Sequence, residues 1–359
     1  MNPQNKIVAW AFLVAFSCSL ALAQTYKVTD LGVLPGDSGS AGFSINSFGR
    51  VTGCSDGSTT QNNLCAFVLP SHAFLWSSSG GMQDLGTLSG DDLSIGFNIN
   101  DSGAVVGFSA NTQSGMGHGF LWTKSGGMID LGTLPGGSAY SDADAITSKG
   151  VIAGEALVSN GDINAVLWTK SGGTYHIHNV GRLPHSVYTF PYYINDNNQV
   201  VGPAYFDTKE TRYHGFLWSK AGGWKDLGTL PGGMNSFAVW INGSRVIVGM
   251  ATSAKFPKGV AVYWDAAGKI HMIGALKGGT SSFADAINDA GQVVGHSTVS
   301  GGASHAFLWS SNTGLKDLNK LIGTNSGWVL HAAYGINKNG QIVGYGTKSG
   351  ANHAFLLKR

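Results

Sequence analysis

The sequence predicts an all-β repeat fold, and three observations carry that prediction. The first is a recurring word. It stands at His72-Ala73-Phe74-Leu75-Trp76, His118-Gly119-Phe120-Leu121-Trp122, His214-Gly215-Phe216-Leu217-Trp218 and His305-Ala306-Phe307-Leu308-Trp309. Weaker copies end at Trp168, Trp264 and Leu357. The last position therefore falls at 76, 122, 168, 218, 264, 309 and 357, a near-constant step of the length that marks repeat architectures. The second observation is the content of each unit: four short strand-like segments parted by Gly-rich turns, with no helical periodicity. The third lies at the ends. The seventh unit stops at Phe355-Leu356-Leu357-Lys358-Arg359, without a fourth segment, whereas Tyr26-Lys27-Val28-Thr29-Asp30-Leu31-Gly32 is a spare copy of that segment. A four-stranded sheet with two apolar faces must stack on its neighbours. Together these features predict a seven-bladed β-propeller with four antiparallel strands per blade, the N-terminal strand closing the last blade. An open β-solenoid or a pair of sandwiches is the alternative, and it leaves the matching ends without a reason.

Unit six illustrates the elements. Ser282–Asn288 alternates small and large residues and reads as strand one. Asp289-Ala290-Gly291 turns the chain into Gln292–Ser297, β-branched at its centre. A polar loop leads to the His-Ala-Phe-Leu-Trp strand, and Leu315–Asn319 is read as strand four. Paired glycines such as Gly80-Gly81 suit the tight turn between strands three and four. Leu134-Pro135-Gly136-Gly137 and Leu230-Pro231-Gly232-Gly233 carry type II turn chemistry after strand four. The expected blades are about 33–86, 87–132, 133–181, 182–228, 229–274, 275–319, and 320–359 joined by 24–32, all in a single domain spanning 24–359.

The 359 residues include 54 glycines, and only 12% are charged, with a net charge of +2. No Lys/Arg run argues for nucleic acid or an anionic membrane surface. Near the start, Lys6, an apolar run from Ile7 to Phe16 and Ala21-Leu22-Ala23 read as a secretory signal peptide, residues 1–23, cleaved after Ala23. The run is about half of what a membrane span needs. Cys18 follows Ala15-Phe16-Ser17, a poor match to a lipoprotein cleavage box. Secretion to the periplasm or the exterior is expected, with no membrane span after cleavage. Cys54 and Cys65 then remain, and an even count in an exported chain predicts a disulfide across one loop. A metal pair at these cysteines lacks two further ligands.

Three words recur in order: Asp-Leu-Gly-Thr-Leu-Pro-Gly-Gly, Ala-Ile-Asn-x-x-Gly-Gln-Val-Val-Gly and His-Ala-Phe-Leu-Trp. Over about residues 30–357 the chain resembles the bacterial extracellular repeat family named HAF after its tripeptide. The resemblance implies export and repeats; it brings no catalytic residues. Units three, five and seven depart from the pattern at Asn164, Val260 and Leu357.

Repeated polar residues tempt a catalytic reading. Asp30, Asp84, Asp130, Asp226 and Asp317 form one column, and His72, His118, His214, His305 and His353 another. One residue per blade on outer strands cannot converge on one substrate, so these pairs are expected to satisfy turn amides. Strand one should face a central channel. Its column two before each Ile of Ile-Asn is Phe43, Phe97, Asp144, Tyr192, Val239, Asp285 and Tyr334. Asp144 and Asp285 lie in opposite blades, expected to be too far apart for paired-carboxylate glycoside hydrolysis. The serines five before that Ile, Ser40 to Ser282, could form a hydroxyl ring or order water. His176 and His178 share a strand face but have no third ligand, so no metal and no cofactor are expected.

Departures from the repeat collect in loops, where binding commonly resides. The candidate binding residues are Asp207, Glu210 and Arg212 between strands two and three of blade four, His185 and Tyr188 entering blade four, Trp328 in the loop entering blade seven, and His331, which ends the strand-one column of Ser40 to Ser282. Aromatic side chains beside polar ones suit a sugar face or a peptide. The sequence lacks a nucleophile elbow, a zincin helix, a P-loop and a dinucleotide fingerprint. The expected function is a rigid binding module for carbohydrate, a cell-envelope polymer or another extracellular protein, and a monomer. A polysaccharide hydrolase or lyase using non-repeat residues, or a purely structural surface protein, are the alternatives.

Overall fold

A computed structural model describes residues 26–57, 65, 70–137 and 139–359. The expected signal peptide lies outside the described residues. Among those residues there is no α-helix, and the chain forms five sheets in a propeller-like arrangement. Sheets of eight and nine strands each consist of two antiparallel groups joined by one parallel bridge, Ser71 to Leu93 and Ile163 to Tyr188. The antiparallel groups follow the sequence units. Unit one, for example, comprises Gly39–Ile45, Val51–Asp56, Ser71–Ser77 and Gly81–Asp84. Unit seven comprises Trp328–Ile336, Ile342–Lys348 and Ala351–Lys358, with Lys27–Asp30 paired antiparallel on its outer edge, Asp30 opposite Phe355.

Unit six departs from the expected strand four. The strand ends at Asp317, and Leu318–Lys320 is a 3-10 turn. Asp317 Oδ1 accepts the Asn319 amide and caps it.

Five units bury an aromatic centre in the third strand. Phe74, Phe120, Phe216, Phe307 and Phe355 are fully buried. Units three and five carry Val166 and Val262 there, and in those units alone the following Trp168 and Trp264 are fully buried instead. Their indole nitrogens donate to Leu131 O and Leu227 O of the preceding unit at 2.9 Å. The smaller Val thus leaves room for the indole beside it to be buried.

The repeated His and Asp columns are local staples. Asp226 Oδ2 lies 2.8 Å from His214 Nδ1 while its Oδ1 accepts the Gly228 amide, and the pairs at His72–Asp84, His118–Asp130, His305–Asp317 and His353–Asp30 share the arrangement. Burial pushes the Asp30 carboxyl up, but the Gly32 amide, His353 and Lys348 outweigh it and hold the group below its ordinary value.

Strand-one serines also turn out to be internal. Ser94, Ser141, Ser236 and Ser282 accept strand-three amides of the preceding unit, from Ala73, Gly119, Gly215 and Ala261. Ser40 accepts the amide of Ala354, across the two ends of the chain. These hydroxyls bridge neighbouring sheets and do not form an open ring.

At the other end of strand one, the Asn of each Ile-Asn holds its own turn through Oδ1 and reaches its neighbour through Nδ2. Asn46 donates to Asn100 O, Asn100 to Thr147 O, Asn195 to Asn242 O, Asn242 to Asn288 O, Asn288 to Asn337 O, and Asn337 back to Asn46 O, at 2.9–3.2 Å. Thr147 has no side-chain amide to donate, and there Ser148 N donates to Asp196 Oδ1. A cavity of about 340 Å³ is lined by these residues from all seven units. Cys54 and Cys65 form the expected disulfide. No helix of the described residues is long and apolar enough to cross a membrane.

Candidate functional site

The site is made by a repeated irregularity. In six units the pairing of strand one with strand two slips by one residue, for instance between Gly42 and Ser44 and between Ala143 and Ala145. The slips leave Phe43, Phe97, Asp144, Val239, Asp285 and Tyr334 out of the pairing register, and a second slip in unit seven, between Leu330 and Ala332, skips His331. In unit four Pro191 interrupts strand one between Tyr188–Thr189 and Tyr193–Ile194, and Tyr192 holds the equivalent place. A bulge leaves its extra residue out of the ladder and re-aims the side chain. The seven residues of this column, Phe43 to Tyr334 but not His331, line one cavity of about 460 Å³.

The walls are aromatic, with Tyr140, Phe190, Tyr193 and Trp240 beside the column residues. Tyr193 and Trp240 stack with centroids 3.8 Å apart, and with Asn98 they also line the cavity of the Asn ring. The polar lining is strongly one-signed. Asp142, Asp144, Glu155 and Asp285 contribute carboxyl groups, and no Lys, Arg or His lines the cavity.

Three of these carboxyls come from unit three. Asp142 and Glu155 are opposite each other on strands one and two. The matching pairs elsewhere are Ala41 with Cys54, Ile95 with Phe108, Phe237 with Met250 and Phe283 with His296. An acidic pair thus replaces mostly apolar ones, an arrangement that repulsion and desolvation both disfavour. Asp142 is 6% exposed and Glu155 3%. Asp142 Oδ1, Asp144 Oδ2 and Glu155 Oε2 are buried without a hydrogen-bond partner.

The electrostatics follow. Burial, then Asp144, raises Asp142 well above the ordinary carboxyl range. Burial raises Asp144 to about 7, moderated by a hydrogen bond with Glu155, and burial with both aspartates raises Glu155. On the far side Asp285 has a partner, His296 Nδ1 at 2.8 Å. Burial raises Asp285; desolvation lowers His296, but the Asp285 carboxylate outweighs it and holds the imidazole above its usual value. No group of three His, Cys, Asp or Glu among the described residues is arranged to hold a metal.

The loop candidates lie apart from this cavity lining. Asp207 organises its own loop: Oδ1 accepts the Lys209 and Thr211 amides, and Oδ2 accepts Arg212 N and Thr211 Oγ1. Glu210 sits there with a positive φ of 57°, and the Arg212 guanidinium lies 5.3 Å from the Phe206 ring. His185, φ 69°, occupies the turn position that is Gly136 and Gly232 in other units. Tyr188 packs near Phe190, one of the cavity residues. Trp328 is on strand one of unit seven, not on the loop before it, and is buried against Phe355. His331, on the same strand, contacts Thr347. Sequence reasoning missed Tyr140, Asp142 and Glu155. Their signal was a pair of acidic residues at register positions that are mostly apolar elsewhere, invisible until the strands are aligned.

No protein-family model matches the chain, and no curated protein matches it in sequence. Solved structures do share its shape. Virginiamycin B lyase from Staphylococcus aureus aligns at 14% identity over 93% of this chain and 99% of its own, with a TM-score of 0.58. A streptogramin B lyase aligns at 14% over 94% and 99%, TM-score 0.56. The extracellular domain of a putative one-component system from B. thetaiotaomicron aligns at 10% over 93% and 40%, TM-score 0.51. At such identities the likeness is one of fold.

Proposed function

We propose that the chain is an exported repeat protein of the HAF type, a closed seven-bladed propeller in one domain, acting as a rigid binding module for saccharide-bearing polymers. Closure is supported by the Asn337 to Asn46 and Ala354 to Ser40 hydrogen bonds and by the pairing of Lys27–Asp30 with the last strand. Export is supported by the Cys54–Cys65 disulfide. The observation that carries the binding reading is the axial cavity, where aromatic rings surround buried carboxyls, three of which each keep one oxygen without a hydrogen-bond partner. Flat rings bury the apolar face of a sugar, and the carboxyls meet its hydroxyls. The candidates His185, Tyr188, Glu210 and Arg212 are proposed to extend contacts with a polymer on nearby loops. A glycan array followed by calorimetry tests this. Binding should weaken about tenfold or more in Tyr192→Ala. Glycan binding indifferent to that change, or no glycan binding, would reject the axial site.

One observation favours the second reading, a polysaccharide hydrolase or lyase. Asp144 lies beside Glu155 in the cavity lining, and burial raises its carboxyl above the ordinary range, as suits a general acid or base. Product analysis on any array hit decides: release of shortened chains, abolished in Asp144→Asn, would replace the binding module with an enzyme.

A further inference from the structure

We infer that the axial ligand bears a protonated amine, an amino-sugar residue whose ammonium sits among Asp142, Asp144 and Glu155 of unit three. The inference rests on the saccharide reading above and narrows it.

Four observations lead there. The cavity lining holds four carboxyls and no cationic side chain. Three of those carboxyls each keep one buried oxygen without a donor. The fourth, Asp285, already has His296 and makes no such demand. The three come together through backbone geometry: Asp142 and Glu155 are cross-strand partners, and the bulge at Asp144 stands beside them. An ammonium brings three donors to this acceptor-rich group, whereas a hydroxyl has one. Buried carboxyls are disfavoured until a cation pairs with them, so the site is arranged for a ligand that brings the charge. The ring faces of Tyr140, Phe190 and Tyr192 add cation–π attraction and a stacking surface for the sugar that carries the amine. A neutral sugar can donate hydroxyls but leaves the carboxylate charge unpaired, so the site prefers the amine-bearing sugar.

Calorimetry on the full chain tests this with four probes: a glucosamine trimer, an N-acetylglucosamine trimer, a glucose trimer and cadaverine. The glucosamine trimer should bind at least about tenfold more tightly than either neutral trimer. In the near-isosteric Asp142→Asn/Glu155→Gln variant that preference should shrink to within about twofold. The variant removes buried charge, so a melting temperature at or above that of the parent verifies its fold. Tyr192→Ala, a change in the wall alone, should weaken all three trimers together. Equal affinity for the three trimers overturns the ammonium inference and leaves the saccharide reading standing. Cadaverine binding with no trimer binding overturns it and the saccharide reading with it, as does silence from all four probes.

Discussion

At the scale of single residues, the unit-three carboxyls set a cost that depends on pH. A carboxyl with a higher pKa folded than unfolded binds an extra proton in the folded state between the two values. Stability from this source is therefore greatest below the unfolded value, about 4, and falls as pH rises through the folded one. For Asp144 that upper value is about 7, and Asp142 and Glu155 are displaced the same way. Tyr140 and Tyr192 nearby are pushed upward by burial and stay neutral through this range. Asp285 and His296 titrate in both parent and variant, so a comparison cancels them. The Asp142→Asn/Asp144→Asn/Glu155→Gln variant should be more stable than the parent at pH 8 by on the order of 2 kcal/mol, and the gap should close toward pH 4. Thermal melts of both proteins across that range measure it; a gap that ignores pH would mean the carboxyls are ionised and compensated. Asp144 was visible in the sequence as an irregular member of its column. Its neighbours were not, because Asp142 and Glu155 gain their meaning only from cross-strand register.

At the scale of the element, the bulge explains a residue that the repeat alone left as a bare pattern, the Gly of Val-Val-Gly. Where strand one slips, its carbonyl swings toward strand two. A Cβ on Gly53, Gly107, Gly154, Gly202, Gly249, Gly295 or Gly344 would stand 1.8–2.0 Å from the carbonyl oxygen opposite. No real side chain fits there, and backbone cannot yield cheaply. Gly249→Ala should destabilise the protein by about 3 kcal/mol or more, measured by urea unfolding. Wild-type stability would mean that the bulge at Val239 can relax. One device therefore does two things: it demands glycine on strand two and frees one inward side chain per unit. The alternation of strand one was readable in the sequence; the slip was not, since a bulge adds a residue without a distinctive composition.

At the scale of the molecule, the ends matter most. Lys27–Asp30 supplies the outer strand of unit seven, and Tyr26 and Val28 join the cluster containing Phe355 and Leu357. Deleting Tyr26–Gly32 would strip this edge, expose the hydrogen-bonding row of Ala351–Lys358 and break the His353–Asp30 staple. The deletion should lower stability by several kcal/mol, about 3 at least, and promote association through the bared edge; thermal melts and light scattering report both. An unchanged melting temperature would count against ring closure. The sequence by itself determined the strand content, the period, the turns, the disulfide and the complementary ends. These are local or strictly periodic, and each recurs in enough copies to be read from spacing. Only the tertiary structure decided which column of strand one lines the axial cavity. The seven residues of that cavity column are tens of positions apart along the chain, and their convergence depends on one-residue slips in strand pairing. The site therefore arises from register and from the stacking of units, which no single repeat encodes.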